Sequence, residues 1–537
     1  MGYAHEYADA VLHRGRVPMD PADFVPNWPD GPRKGKFYPG VESYALPDGD
    51  GLPDAPAGRG LLPGAPVPGP VTPGPEGFTL PLLSAMLKDS YGLTGRRLGI
   101  QANSDLSGLP FYTHANWSRG TAGGGGLYPV SIYWAAGPSG PLTPGVHYYD
   151  IHRHAVQRLL TGDVSARIRD ALGPDAPAEA LETDQYLILG VKYWQNSFKY
   201  NSFSYHVVST DLGTLVQTWR IWAGARGLRT APVLWFDEPR LNGLLGTAGE
   251  EEAVFAVVPL RWADRPSPAT AAGAPGPDPS VRHRDVERSR TVLDFPTVRA
   301  MHTATTAHAA DRPAPGALAA AAALPVPAGG TRVALPAPAF PDVPVRATLR
   351  ARRSSFGRFD AARPLDPAQL SAVLAACAAT SLESDADPDG AVRQARLHVF
   401  VSHVRGIEPG AYTYDPDAGE LRLVEAGPQG AFLQENYFLA NYNLEQAGAV
   451  LVPTVRTDAV LDAVGDRGYR LAVGTAGAVA QTFYVAAAAL GIGAGVALGF
   501  DNISFVEKLG LGDEAPLLIM PLGNERPRPA DFRHEIA

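Results

Sequence analysis

The chain has 537 residues, a net charge of -9, 19% charged residues and 45% hydrophobic residues. This length exceeds what one ordinary core supports, so two domains are expected, and the acidic balance lacks the basic footprint of a nucleic-acid-binding protein. One cysteine, Cys377, excludes an internal disulfide and a cysteine-cluster metal site. Because residues 1–10 also lack the apolar run of a secretion signal, a cytoplasmic protein is expected.

Residues 1–79 are predicted to form an N-terminal arm and a Pro/Gly-rich segment. The part of the arm at residues 23–28 is expected to wrap the body of the protein, and the Pro/Gly tract occupies residues 47–75. Such a composition can bury little apolar surface, so no separate core is expected here.

An internal repeat organises the rest of the chain. Residues 211–246 align without a gap on residues 475–510 at a shift of 264 positions, and residues 144–150 align on 409–415 at a shift of 265. The two shifts differ by one position, as a one-residue insertion or deletion in a loop would produce. The clearest matches are Gly213 with Gly477, Gln217 with Gln481, Thr218 with Thr482, and Phe236-Asp237 with Phe500-Asp501.

Each aligned block predicts one element. The Pro-Gly start followed by alternating aromatic residues predicts a strand, and the small, apolar Gly-x-x-x-Gln-Thr segment predicts a central buried helix. Residues 252–260 and 515–523 then predict matching buried strands. The result is a mixed α+β fold present in two diverged copies that form a pseudo-dimer, at residues 80–262 and 345–537.

Residues 263–344, between the copies, are rich in Pro and Ala and are expected to be an exposed linker, with a short helix at residues 317–323. Residues 471–500 are apolar enough to raise the question of a membrane span. Gln481 and several glycines interrupt this run, and its counterpart in the first copy carries Arg220 and Arg226. A buried core helix is therefore expected, with no membrane partner.

Three features could carry chemistry. Gly123, Gly124, Gly125 and Gly126 precede Leu127 and a predicted strand, and glycines allow a flat ring or a phosphate to approach the backbone closely. A surface loop is the alternative. The second feature is the cluster Arg352, Arg353, Ser354 and Arg358 at a predicted helix end, where arginines and a hydroxyl could bind a phosphate. A solvated basic face is the alternative there.

The third feature is the adjacent pair Lys199 and Tyr200. The lysine ammonium could favour the phenolate form and so provide a base near neutral pH. The equivalent residues in the second copy are Ala463 and Val464, and this asymmetry favours a functional role over a scaffold role. His147, His152 and His154 lie in a predicted hairpin whose repeat has no histidine, so no metal site is expected, and Cys377 is expected to be a small core residue.

These motifs together resemble the FMN-dependent nitroreductase fold. The resemblance rests on the Arg-Arg-Ser cluster, the Gly477-x-x-x-Gln481 helix, the Gly499-Phe-Asp turn and the final Pro-Leu-Gly, and it covers both copies. The Gly-rich Leu-Tyr-Pro strand and the Lys-Tyr pair look like the azoline-dehydrogenase branch, of the microcin B17 and streptolysin S type. That branch oxidises thiazolines and oxazolines in ribosomal peptides, such as thiopeptides, to thiazoles and oxazoles.

The resemblance implies one FMN site made from both copies. Nitroreductases are usually homodimers with flavin at the subunit interface, and here the first copy lacks Arg-Arg-Ser while the second lacks Leu-Tyr-Pro. One site is therefore expected to survive, with Lys199 and Tyr200 as the catalytic pair. The expected FMN contacts are Arg352, Arg353, Ser354, Arg358 and Gly499 from the second copy and Gly123, Gly124, Gly125, Gly126 and Leu127 from the first.

On this hypothesis Tyr200, assisted by Lys199, removes the Cα proton of the azoline while FMN accepts hydride. The implied partners are an azoline-containing precursor peptide and a cyclodehydratase complex. The alternatives are a cyclodipeptide oxidase, an NAD(P)H-dependent nitroreductase, and a non-catalytic peptide-binding scaffold with a decayed flavin site.

Overall fold

The computed structural model describes residues 2–49, 51–63, 74–100, 112–263, 278–327, 329–527 and 533–535. An N-terminal arm leads into the first half, residues 80–262, which combines helices with an antiparallel sheet. The elements up to residue 263 are α1 (Tyr3–His13), β1 (Ser43–Ala45), α2 (Ala57–Leu61), α3 (Leu80–Ser90), β2 (Gly95–Ile100), β3 (Tyr112–Ser118), β4 (Val130–Ala136), β5 (Gly145–Asp150), β6 (Ala155–Thr161), α4 (Ser165–Leu172), α5 (Ala178–Leu181), β7 (Gln185–Lys192), α6 (Trp194–Tyr200), α7 (Ser204–Gly224), α8 (Glu238–Leu245) and β8 (Glu252–Pro259).

A segment with one helix and one short strand then leads to the second half, residues 345–537, which again combines helices with a sheet. The elements from residue 278 onwards are α9 (Pro296–Ala307), β9 (Arg332–Ala334), α10 (Val345–Ala351), α11 (Pro367–Ala378), β10 (Ala395–Val401), β11 (Gly410–Asp415), β12 (Glu420–Ala426), α12 (Gly430–Glu435), β13 (Ala449–Val455), α13 (Thr457–Val464), α14 (Gly468–Ala489), β14 (Gly493–Ala494), α15 (Asn502–Leu509), β15 (Ala515–Pro516), β16 (Met520–Gly523) and β17 (Arg533–Glu535).

The two large sheets share one strand order. The first runs β1-β6-β5-β4-β7-β8, and the second runs β9-β12-β11-β10-β13-β16-β14, with β15 also paired to β13. Both hairpins shift register at an equivalent point, between Val146 and His147 in the first sheet and between Ala411 and Tyr412 in the second. The two sheets therefore agree with the repeat in the sequence. A small third sheet runs β17-β2-β3.

The helix ends follow the same repeat. Asp237 caps α8 and Asp501 caps α15, each carboxylate accepting a hydrogen bond from a backbone N–H of the first turn. Gly246 and Gly510 end these two helices in the left-handed conformation, with φ of 65° and 62°. Pairs of residues that align at the shift of 264 therefore hold the same local roles.

The central helices α7 and α14 pack closely against each other and join the two halves. A methyl group at Gly213 would overlap the carbonyl oxygen of Gly474, and one at Gly477 would overlap the carbonyl oxygen of Thr210. Gln217 Nε2 donates to Thr482 Oγ1 at 2.9 Å across the same contact. Because only glycine lets the two backbones approach this closely, these positions set the separation of the halves.

α14 is also the one helix among the described residues that is long and apolar enough to cross a membrane. However, 94% of its most apolar window is buried inside the protein, as expected for a core helix. Cys377 lies on α11 and is buried at 1% exposure, in agreement with its expected role in the core.

More than half of the described residues between 278 and 344 are exposed, but the expectation of a linker without packed elements fails at α9 and β9. α9 lies in this segment and buries Val298, Met301 and Thr305, and β9 adds an edge strand to the second sheet. A 3-10 turn occupies Ala317–Ala321, where a short helix is expected. Composition did not show these contacts because they depend on partners that are distant in sequence. Residues 264–277 and 328 lie outside the described part of the chain. The domain boundaries remain predictions.

The N-terminal arm packs on the body of the protein, with α1 on the second half and residues 30–38 on the first half and the segment between the halves. The backbone N–H of Lys36 donates to Tyr148 Oη at 2.9 Å, and its ammonium forms a buried ion pair with Glu252. Asp30 accepts the backbone N–H groups of Arg290 and Thr291 at 2.8 and 2.9 Å. The segment between the halves therefore holds the arm in place.

We predict that Gly213→Ala lowers stability by about 1–3 kcal/mol, since the added methyl group must push α7 and α14 apart. Gly243→Ala is the matched control, because a Cβ there meets nothing within 4 Å on the exposed face of α8. That variant should gain up to about 1 kcal/mol from helix propensity. Denaturant midpoints measure both effects, and equal behaviour of the two variants would contradict the role given to the α7–α14 contact.

Candidate active site

A cleft of about 1400 Å³ lies between the two halves and under the N-terminal arm. All three parts of the chain contribute to its walls, the arm through Lys34, the first half through Lys199 and the second half through Arg352. A pocket for one small ligand usually has a volume of roughly 300–1,000 Å³. The cleft can therefore hold two ligands side by side.

The glycine-rich segment forms a tight loop at residues 123–126 in the wall of the cleft. Gly125 and Gly126 have φ of 61° and 66°, a conformation that glycine adopts without strain. A Cβ on Gly125 would lie 2.5 Å from Lys199 Nζ and 2.7 Å from Tyr200 Oη, whereas one on Gly126 would meet nothing within 4 Å. The loop thus packs on the Lys-Tyr pair on one side and leaves open space on the other.

The second half holds this loop in place. Gln481 on α14 accepts the backbone N–H of Ala122 and donates to the carbonyl oxygen of Gly120, both at 3.0 Å. The sequence repeat singles out Gln481 but does not give its partners. Its counterpart Gln217 bonds Thr482 instead, so the two aligned glutamines have different roles.

Lys199 and Tyr200 lie together at the C-terminal end of α6, with Lys199 Nζ 4.7 Å from the centre of the Tyr200 ring. Burial raises the pKa of Tyr200, and the nearby carboxylate of Asp211 adds to this effect. Burial lowers the pKa of Lys199, and the charge of Lys34 lowers it further. The expected phenolate at Tyr200 is therefore wrong: the surroundings favour a neutral phenol and move Lys199 towards a neutral amine.

The Arg-Arg-Ser cluster follows α10 and reaches the cleft from the second half. Arg352 Nη2 donates to the carbonyl oxygen of Arg119 at 3.0 Å, and Ser354 Oγ lies 2.8 Å from Tyr484 Oη. Arg353 forms a two-pronged ion pair with Glu525, in which Nη1 lies 2.9 Å from Oε1. Arg352 and Ser354 thus line the cleft, where a guanidinium and a hydroxyl can contact an anion, and the guanidinium of Arg353 pairs with Glu525.

The structure places two of the expected cofactor contacts away from the cleft. Arg358 Nη1 lies 3.4 Å from Glu525 and Nη2 donates to the carbonyl oxygen of Arg526, so Arg358 belongs to the ion pair behind the cluster. Leu127 is buried in the core at 3% exposure. The sequence could not separate these residues from their neighbours, because adjacent positions on a turn point in different directions. Gly499, by contrast, lines the cleft.

Asp211 is a cleft residue that the sequence motifs missed. It is buried on α7 at 5% exposure, and its Oδ1 accepts the backbone N–H of Gly124 at 2.7 Å. Its Oδ2 has no hydrogen-bond partner among the described residues. Burial raises the pKa of Asp211 to about 7. The available signal was asymmetry, since Asp211 aligns with Thr475 and is the one acid in α7.

The described residues contain no group of three or more His, Cys, Asp or Glu side chains placed to bind a metal ion. The three histidines of the first hairpin have separate surroundings: His147 is buried, His152 lines the cleft, and His154 bonds Tyr149 and Ser84.

Comparison with known proteins identifies this architecture. The family model for the nitroreductase family matches residues 349–524. A protein of Methanocaldococcus jannaschii, named as a candidate nitroreductase, is 32% identical over 142 residues, which cover 25% of this chain and 68% of that protein. The cleft and the paired sheets thus define an α+β protein with the nitroreductase fold, and the chain belongs to the nitroreductase family. Oxidoreductase chemistry and flavin binding are typical of that family.

Solved structures extend the likeness to the whole chain. A protein of Anabaena variabilis, described as a candidate nitroreductase, superposes with a TM-score of 0.71 over 98% of this chain and 100% of its own, at 21% identity. This match shows the fold alone. The Escherichia coli microcin synthetase complex, with its truncated precursor bound, gives 18% identity over 33% of this chain and 69% of the matched chain, with a TM-score of 0.28 that carries no argument.

We predict that the stability of the Asp211→Asn variant relative to the wild type increases as the pH rises. Asp211 binds its proton more tightly in the folded chain than in the unfolded chain, where its pKa is about 4, so the wild type loses stability between about pH 4 and pH 7. The asparagine keeps an acceptor for Gly124 and cannot ionise. The difference between the variants should grow by about 1.4 kcal/mol per pH unit in this window. Thermal midpoints at pH 5 and pH 8 measure it, and a difference independent of pH would contradict the assignment.

Proposed function

We propose that this protein is an FMN-dependent dehydrogenase that oxidises thiazolines or oxazolines in a peptide to thiazoles or oxazoles. One observation carries the proposal: a single cleft contains Arg352, Ser354 and Gly499 from one half and the glycine loop with Lys199 and Tyr200 from the other. The residues on which the azoline-dehydrogenase resemblance rests thus share one space, although more than 150 positions separate those of one half from those of the other in the chain.

The residues present fit FMN. The space beside Gly126 is open, so a flat ring can lie against the backbone there. A side chain at this position would occupy that space and keep the ring away from the backbone. Arg352 and Ser354 provide a guanidinium and a hydroxyl for the phosphate. In this arrangement the second half holds the phosphate, and the glycine loop of the first half supports the ring.

The equivalent place on the other side of the protein is filled, which supports one flavin per chain. The counterpart of Gly499 at the shift of 264 is Trp235, which is buried at 1% exposure. Asp385 accepts the backbone N–H groups of Leu234 and Trp235 at 2.7 and 3.0 Å and pairs with Arg312 at 2.9 Å. A bulky ring and an ion pair thus occupy the space that a second cofactor would need.

When bound, FMN supplies the two-electron acceptor that aromatisation of an azoline requires. The chain provides the base for the Cα proton. Lys199 suits this task better than Tyr200, because burial moves the amine towards its neutral, proton-accepting form and keeps the phenol protonated. Tyr200 then acts as a hydrogen-bond donor that positions the ring, and the arm closes the cleft over both groups.

A peptide substrate suits the mouth of the cleft. Large apolar side chains stand exposed around it, and a polypeptide covers such a rim better than a small solute does. They are Trp117, Phe356, Phe438 and Leu439. In this proposal the partner is an azoline-containing precursor peptide, and a cyclodehydratase complex that forms the azoline acts before this enzyme.

The visible absorption spectrum of the purified protein, with released flavin quantified, tests the cofactor first. About one FMN per chain, together with oxidation of a thiazoline or oxazoline peptide under air, is the expected result. Two flavins would contradict the filled second site, and none would favour a non-catalytic scaffold. Turnover of nitroaromatics that needs NAD(P)H, or of cyclic dipeptides alone, would favour the corresponding alternative enzyme.

Arg352→Met is expected to weaken FMN binding at least tenfold, because a charge-assisted hydrogen bond contributes about 1.5–3 kcal/mol. Arg353→Met is the matched control. The guanidinium of Arg353 pairs with Glu525. In the Arg353→Met variant Glu525 would still pair with Arg358, so FMN affinity should fall less than in Arg352→Met. Fluorescence titration of the apoprotein with FMN measures both, and a larger loss in Arg353→Met would contradict the assignment of the phosphate site.

Lys199→Arg should retain FMN and lose about 10²–10⁴-fold in turnover, because arginine keeps the positive charge but cannot accept a proton at neutral pH. Tyr200→Phe should also retain FMN, with a smaller loss. Flavin content by absorbance and single-turnover flavin reduction separate the two properties. Loss of flavin from either variant would mean that the pair binds the cofactor instead of acting on the substrate.

A further inference from the structure

The lining of the cleft is strongly cationic although the whole chain is acidic. Among the described residues that line it, ten are lysine or arginine, and two, Asp150 and Asp211, are acidic. The chain as a whole carries a net charge of -9. Several of the ten have partners outside the cleft, such as Glu252 for Lys36 and Glu525 for Arg353. The cationic surplus is therefore concentrated on the remaining side chains.

Arg119 stands out because it is buried at 2% exposure and lines the cleft, yet its Nε and Nη1 have no hydrogen-bond partner among the described residues. Its guanidinium lies 4.0 Å from the centre of the Tyr128 ring and 5.0 Å from that of Tyr91. Stacking on aromatic rings fixes its direction but satisfies no N–H group. A buried guanidinium left in this state is costly, and a ligand with anionic oxygens would satisfy it.

Lys34 is the second cation of this group. It is an exposed residue of the arm that lines the cleft and, in the part of the chain that the structure describes, forms no ion pair. Partial desolvation and the charge of Arg119 lower its pKa, and the same two causes lower the pKa of His152. All three side chains line the cleft, and a Cβ on Gly35, the neighbour of Lys34, would lie 3.3 Å from His152 Nε2. Asp150 is also nearby, but its Oδ1 accepts the backbone N–H of His152.

We propose that Lys34 and Arg119, with His152 beside them, form a subsite for an anionic oxygen group, a carboxylate or a phosphate, on the second ligand of the cleft. The subsite and the candidate base Lys199 line the same cleft. An anion bound there would orient the ligand relative to Lys199. This inference goes beyond the proposed oxidation, because it requires only that a second ligand enters beside the flavin.

The experiment measures binding to flavin-loaded protein by calorimetry and does not depend on turnover. The probes are two thiazole pentapeptides that differ only in an Asp or an Asn next to the ring, and NADPH as the phosphate-bearing alternative. The variants are Lys34→Gln and Arg119→Gln, with Lys508→Gln as the control for an equal charge change outside the cleft. FMN and riboflavin titrations of the apoprotein test whether the flavin phosphate itself uses the subsite.

The wild type is expected to bind the Asp peptide at least tenfold more tightly than the Asn peptide, with the preference reduced by salt. Lys34→Gln and Arg119→Gln should bring the two affinities within about twofold, and Lys508→Gln should leave the preference unchanged. If Lys34→Gln and Arg119→Gln weaken the binding of NADPH but not of the peptides, the result would also support the subsite and would identify phosphate as its ligand.

Two results would overturn the subsite. One is that Lys34→Gln leaves the affinities for both peptides and for NADPH unchanged. The other is that the variants weaken only the binding of FMN relative to riboflavin, which would assign the cations to the cofactor. Failure of the proposed function is distinguishable from both: azoline peptides would then not be oxidised by the wild type, while binding of the Asp peptide would still depend on Lys34.

Discussion

The close contact between α7 and α14 is the constraint on which the rest of the structure depends. Gly213 and Gly477 each face a backbone carbonyl of the other helix, so the halves approach as closely as two helices can. This approach lets Gln481 of the second half bond the glycine loop of the first, and it brings Arg352 to the carbonyl oxygen of Arg119. The walls of the cleft are thus positioned by backbone packing in the core, directly beside the cleft, since Thr210 lines it and its carbonyl oxygen faces Gly477.

Burial decides the electrostatics of the cleft more than neighbouring charge does. Sequence adjacency placed an ammonium beside a phenol and predicted a phenolate, but desolvation raises the pKa of Tyr200 and lowers that of Lys199. The same effect brings Asp211 to a pKa of about 7. Removing a charged group from water is costly, and a neighbour must be very close to offset that cost. Burial therefore favours the neutral form of all three groups, the amine of Lys199, the phenol of Tyr200 and the carboxyl group of Asp211.

The repeat explains how much could be predicted from the sequence. Aligned residues such as Asp237 with Asp501 and Gly246 with Gly510 hold the same positions at helix ends in both halves, because capping is a local interaction. Most of the predicted contact residues line one cleft, since Arg352, Ser354, Gly499 and the glycine loop all reach it, and their role as a flavin site stays a prediction. Arg358 and Leu127 do not line the cleft, and α9 packs on the body of the protein; the sequence motifs do not show this because it depends on partners that are distant in sequence. Asp211 was overlooked because one acid in an apolar helix has no motif of its own.

The joining of both halves in one chain has a consequence for how the site responds to dilution. In a homodimer with a site at the interface, the site exists only while the subunits associate, and it is lost below their dissociation constant. Here the halves remain at a fixed effective concentration, so the site persists at any protein concentration. A change in one half also affects only one wall of one site. On the proposal of one flavin site per chain, the half with Lys199 and the half with Arg352 are free to differ, and Trp235 can fill the place opposite without affecting the cleft.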